Sequence, residues 1–466
     1  MEKIIPDYLQ NLSCFLHKTS YSEIPENVIE RSRLVFADSM AAIIGGSAEP
    51  EVETLTKRML ISKNTGTASV LGTGLSGEPM TVSVINGSAG TFLEMDEGNQ
   101  FCRGHPGMQV IPAILAQAEI QGASGRDLLR ALILGYEIGA RIGIACKLRM
   151  TMHPHGTWGT VGAAVGVGAL QKCAAKEFQE LINISSSLGL ATSRKTMLEG
   201  GTVRNSYTGV SNQLGLLAFQ MMKSGFTGEQ DGLSTVFGTV VSETFDSREM
   251  TAELGSRWEI ARNYFKLHSC CRYNHGALDA LEKLLSNDFV APEEIVSMRV
   301  ETYSLAAQLS DRNPQNTLAA KFSLPFALAT TLVNRNSGVQ SFTWEQVRNS
   351  KVQELASKVE VLEDPELTAM MPDFRPARVI VHLKDGRKLD GETRTNRGDS
   401  EDPYSKEELR HKFLSLCSRV YPQVYCEQLH DQLMKVDQLE DIRPLMASLR
   451  NPVSYTHLTL PTICSV

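Results

Sequence analysis

Between Gly156 and Leu170 the chain is built almost entirely of Gly, Ala and Val. A helix of such small residues lets neighbouring backbones come very close, which suits the centre of an all-helical domain and not a surface. Its prefix, Met152-His153-Pro154-His155-Gly156-Thr157, sets two imidazoles at the entrance of that buried helix, where the N-terminal end carries positive potential. One stretch thus constrains both the packing and a place for chemistry.

Helical periodicity surrounds it. Apolar residues recur at three-to-four spacing over 24–44, where Gly45-Gly46 is expected to stop the helix, and again over 82–93, 110–120 and 125–146. After Phe265 the pattern changes. Residues 296–302 and 378–383 alternate apolar and polar as half-buried strands do, and Lys384-Asp385-Gly386-Arg387 reads as a hairpin turn into a return strand from Lys388. Helical patterns over 319–333 and 345–359 lie between them. At Ser405-Lys406-Glu407-Glu408 a capping signal restarts the helical pattern. The expected fold is mainly α: a large discontinuous all-helical domain (1–265 and 401–452) with an inserted smaller α+β lid domain (266–400). Residues 453–466 share no pattern with the rest and read as a non-native tail.

The length of 466 residues favours more than one core, and a net charge of −7 offers no basic field for nucleic acid. No apolar run is long enough to span a bilayer. Nine cysteines without a CxxC pair point to free thiols and a cytoplasmic protein.

Four constellations can carry chemistry. Glu94-Met95-Asp96-Glu97 leads into Arg103-Gly104-His105-Pro106-Gly107, where Asp96 can fix the tautomer of His105 and make it a general base. His153 and His155 resemble a metal pair, but spacing signals no third ligand, so no metal is expected. Arg204, in a Gly-rich approach from Gly200 to Gly209, can hold a carboxylate bidentately. Finally, 263–275 gathers Lys266, His268, Arg272 and His275 at the change of composition, a natural place for a cleft. Cys270 and Cys271 lie there too, with no triad pattern to make either a nucleophile.

Asn86-Gly87-Ser88-Ala89, the Glu94–Glu97 acids, His105-Pro106-Gly107, His153 ahead of Gly159-Thr160-Val161-Gly162-Ala163-Ala164, Lys266 through His275, and Ala320-Lys321-Phe322-Ser323-Leu324-Pro325 together resemble the MmgE/PrpD family. The likeness runs in consistent order from about residue 5 to 452. It implies a cofactor-independent enzyme, usually a homodimer, with its active site between helical body and lid. His105, His153, Lys266 and Asp96 would form the catalytic set, and Arg204, Arg103, His275 and Arg272 would bind substrate. The implied activity is that of a lyase, a 2-methylcitrate dehydratase-like hydro-lyase acting on a small hydroxy-polycarboxylate. An epimerase of an amino- or imino-dicarboxylate, a cis-aconitate decarboxylase-like enzyme and a non-catalytic helical scaffold are the alternatives. Two positions differ from the decarboxylases: Gly98 stands where they carry a threonine, and Arg204 where they carry a lysine.

Overall fold

The helix Gly159–Leu170 is buried along its whole length. It crosses Gly125–Ala145 so closely that a Cβ on Gly135 would stand 2.7 Å from the carbonyl oxygen of Gly162. Any larger residue at that crossing would force the two backbones apart. The computed structural model describes residues 5–60, 66–287 and 289–450. The 453–466 tail, and with it the reading of a non-native end, lies outside the described residues.

Around this crossing pack Glu26–Ser47, Pro79–Phe92, Ile111–Gln121, Ala175–Ser186 and Tyr207–Lys223, giving a mainly helical chain. Gly45-Gly46 does not end the first of these. Both glycines lie inside it, because a Cβ on Gly46 would come 2.0 Å from the carbonyl oxygen of Ala89. Close approach explains the pair: Gly46 packs on Pro79–Phe92, and a Cβ on Gly45 would come 3.0 Å from the carbonyl oxygen of Leu416. At the other end of the chain Ser405 accepts from the backbone N–H of Glu408, whose carboxylate accepts in return, and starts the helix Lys406–Cys417.

The four-stranded sheet runs in the order Val359–Glu363, Ile295–Thr302, Ala377–Leu383, Lys388–Thr393. The first pair is parallel and the others antiparallel. The expected hairpin at Lys384–Arg387 is present, with Gly386 at φ 88°. The 345–359 pattern is not one helix: Trp344–Val347 and Ser350–Ser357 are short, and Val359 begins an edge strand whose Val-Glu-Val alternation was hidden by the preceding helical spacing. The 319–333 pattern also breaks, at Ser323, whose hydroxyl caps Leu324–Asn334.

Two large apolar clusters result. One draws its residues from Leu9 to Phe265 and again from Tyr404 to Leu449. The other runs from Cys270 to Leu383 and takes in Met197. Among the described residues no helix is long and apolar enough to cross a membrane.

Candidate active site

Helix Pro79–Phe92 ends just before the acidic run. The carbonyl oxygen of Phe92 accepts from Lys321 Nζ at 2.8 Å and that of Leu93 from Ser269 Oγ at 2.7 Å. Glu94 follows at φ 55°, a left-handed conformation that disfavours a side chain. Its carboxylate accounts for the exception. One oxygen binds Arg204 Nη1 and the other lies 3.3 Å from Lys266 Nζ, all three groups being buried. Burial pushes the Glu94 carboxyl up, but the adjacent guanidinium and ammonium outweigh it and hold the group down at about 2.

Glu97, three residues on, is equally buried and meets no such pair. It accepts from Gly107 N at 2.8 Å, Tyr136 OH at 3.1 Å and Asn263 Nδ2 at 3.3 Å, fastening the loop to its scaffold. Burial raises its carboxyl to about 8. Lys412, from the returning C-terminal helix, ties the same loop down through Asp38 at 2.5 Å and the Met95 carbonyl at 2.6 Å.

Asp96 Oδ2 lies 2.9 Å from His105 Nδ1. The ring N–H lies off the line between them, so the contact is a close approach and not an aligned hydrogen bond. A carboxylate can only accept, so the Asp96 contact favours the neutral tautomer of His105 with its proton on Nδ1 and a lone pair on Nε2. His153 is arranged the other way. Its Nδ1 accepts the backbone N–H of His155 at 3.1 Å, so a neutral ring carries its proton on Nε2. Burial first, then the nearby Arg204 charge, depress the pKa values of His153 and His155 well below the usual histidine range, which favours the neutral form of both rings. The three rings form a chain, His155 standing edge-on to His105 at 4.8 Å and to His153 at 4.6 Å between centroids.

His105, His153 and His155 line one tight cavity of about 50 Å³, together with Glu94, five arginines (103, 194, 204, 272 and 375), Tyr264 and Tyr273. A roomier cleft of about 630 Å³ lies elsewhere, near Glu49, Lys321 and Trp344, and holds no imidazole. Of these two, the tighter one brings three imidazoles and five guanidiniums together, which makes it the candidate active site.

Of the residues singled out from sequence, His105, His153, Arg103, Arg204 and Arg272 reach this wall. Asp96, Lys266 and His275 stand behind it. Asp96 acts on His105, and Lys266 meets Glu94. His275 accepts from Arg272 Nη1 at 2.9 Å, and its other nitrogen faces the Cys270 carbonyl at 3.3 Å. It orients Arg272, whose Nη2 donates to Asp399 at 2.6 Å. Cys271 also lines the cavity, but burial raises the thiol pKa values of both Cys270 and Cys271, which removes their nucleophilic form. Arg194, Arg375, Tyr264 and Tyr273 were not singled out, and His155 was weighed only as a metal ligand. Among the described residues, the one group with metal-ligand spacing is His268, Asp279 and Glu282. It contains neither His153 nor His155, and both nitrogens of His268 already meet Ser337 and Asp279.

Residues 10–249 match the MmgE/PrpD N-terminal domain and residues 268–437 the MmgE/PrpD C-terminal domain. The chain belongs to the MmgE/PrpD family and is an enzyme of lyase type. Its relatives include the cis-aconitate decarboxylase of Aspergillus terreus (strain NIH 2624 / FGSC A1156), 24% identical over 92% of this chain and 93% of that one. The cis-aconitate decarboxylases of Mus musculus (23%; 98% and 99% covered) and Homo sapiens (22%; 95% and 94% covered) are similar to it along the same span.

Proposed function

We propose that the protein is a cofactor-independent hydro-lyase acting on a small hydroxy-polycarboxylate at the carbon next to a carboxylate. The observation that carries the reading is the placement of two imidazoles in one cavity with different neighbours at Nδ1, the Asp96 carboxylate for His105 and the backbone N–H of His155 for His153, which favours a lone pair on His105 Nε2 and a proton on His153 Nε2. His105 takes the proton from the carbon. Its electron pair moves into an enediolate, for which Arg204 and Arg272 supply positive charge. The C–O bond then breaks, the His105 imidazolium returns its proton to the departing hydroxide, and water leaves. Asp96 steadies the imidazolium in between. His153 donates a hydrogen bond to the leaving oxygen while staying neutral, as neutral imidazoles do in other enzymes. The apolar lining residues Met197, Cys271 and Phe322 belong to the second cluster, while His105 and His153 stand just ahead of helices buried in the first, which supports a reading with a helical body and a lid that excludes water.

A second reading rests on the relatives, which are cis-aconitate decarboxylases. In it carbon dioxide leaves in place of hydroxide, and protonated His105 quenches the carbanion.

Purified protein incubated with a panel of di- and tricarboxylates in deuterated water, followed by NMR, separates the possibilities. An alkene formed with loss of the α-proton supports the hydro-lyase. Released carbon dioxide with deuterium at the new C–H supports the decarboxylase. Exchange of the α-proton with no group lost indicates an epimerase and overturns both. His105→Ala should lower turnover by about 10²–10⁴-fold with the fold intact, and unchanged turnover rejects the assigned base.

A further inference from the structure

The cations around the cavity are not equally provided for. Arg204 and Lys266 share Glu94, and Arg272 has Asp399. Arg194 and Arg375 line the same cavity, and among the described residues neither has a carboxylate in ion-pair contact. Arg375 is only 4% exposed. Its Nη2 donates to the carbonyl of Gln100 at 3.0 Å, in the loop that carries His105, while its Nε is buried with no partner. Nε and Nη2 of Arg194 are likewise buried and unpartnered. Both guanidiniums stand by the ring of Tyr273, at 5.8 Å for Arg194 and 5.5 Å for Arg375.

A buried guanidinium with unused N–H groups is unfavourable alone, and the group that relieves it is an anion able to accept from a fork of donors. We infer that Arg194 and Arg375, set around Tyr273, form a second anion subsite that takes a carboxylate other than the one next to the reacting carbon. This deepens the lyase reading and rests on it for the identity of the cavity. The substrate then carries at least two carboxylates: one activated opposite His105 by Arg204 and Arg272, the other held at Tyr273. The second works as a handle, fixing which carbon faces the imidazoles. Arg375, bonded to the Gln100 carbonyl, would couple occupancy of the handle to the position of the His105 loop.

The test uses two inert probes, propane-1,2,3-tricarboxylate and butyrate, titrated calorimetrically into the full-length protein and into Arg375→Gln, Arg194→Gln and His105→Ala. The wild type should bind the tricarboxylate about 100-fold or more tighter than butyrate. Each arginine variant should lose about 10- to 100-fold for the tricarboxylate and almost nothing for butyrate, the range expected for hydrogen bonds to a charged group. His105→Ala should keep its affinity for the tricarboxylate. Arg194 is the less buried of the two, so its variant carries the test even if replacing Arg375 disturbs the fold. Tricarboxylate affinity unchanged in both arginine variants, or weakened equally with butyrate, overturns the subsite. Failure of the lyase reading gives another pattern, arginine-dependent tricarboxylate binding with no turnover of any polycarboxylate, which leaves the subsite standing.

Discussion

The stretch of cavity wall at Glu94 and the stretch at Tyr273 both present buried cations, and they treat them differently. At Glu94 a carboxylate built into the chain answers Arg204 and Lys266, and the backbone accepts a left-handed residue to put it there. At Tyr273, among the described residues, no carboxylate pairs with Arg194 or Arg375, and Arg375 meets only the Gln100 carbonyl and the tyrosine ring. Compensated charge holds the site together before any ligand arrives. Uncompensated charge leaves a demand that only a ligand can meet.

Removing the compensation should have the largest effect. Glu94→Gln leaves two buried cations without a counter-ion and should cost about 3–5 kcal/mol of folding stability, read from urea denaturation. A loss under 1 kcal/mol would mean that the two stretches do not differ. The second effect depends on pH and uses Glu97 as the mirror of Glu94. Glu94 is held down at about 2, so its stabilisation is present above about 4.5, its ordinary value, and is lost as pH falls toward 2. Glu97 is raised to about 8, so the folded state keeps a proton that the unfolded chain releases near 4.5. Its contribution therefore declines as pH climbs from 4.5 to 8 and is flat above that. Denaturation midpoints of wild type and Glu97→Gln at pH 5 and pH 8.5 check the sign: the decline should shrink in the variant. The smallest effect lies at the other stretch. Arg375→Gln should leave the stability of the ligand-free protein unchanged or raise it by up to about 1 kcal/mol, the opposite of Glu94→Gln.

What could be read in the sequence follows the range over which its signals act. The buried small-residue helix, the Ser405 cap and the hairpin at Lys384–Arg387 are local patterns, and they are present. His105, His153, Arg103, Arg204 and Arg272 announced themselves because each sits in a short run dense in Gly, Pro or charge. Arg375 also sits in a run rich in Pro and charge, Pro372-Asp373-Phe374-Arg375-Pro376, but like Arg194 it reaches the cavity through packing of segments far apart in the chain, which no spacing encodes. Gly45-Gly46 misled for a related reason, since a glycine needed for a distant backbone looks the same as one that ends a helix. Lys266 and His275 were found as cations and imidazoles, but which residue stands in front of which is a property of the folded cavity, set here by Glu94 and Arg272.

Gly98 and Tyr264 exchange two backbone hydrogen bonds, at 3.0 and 2.7 Å, joining the acidic loop to the segment where the first apolar cluster gives way to the second. A Cβ on Gly98 would fall 2.4 Å from the phenolic oxygen of Tyr264. The tyrosine thus fills the space that a threonine at position 98 would need. Replacing Gly98 with threonine therefore takes more than one concession: residue 264 has to shrink or turn aside, and the carbonyl oxygen of Gly104, 2.9 Å from the same Cβ, has to give way as well.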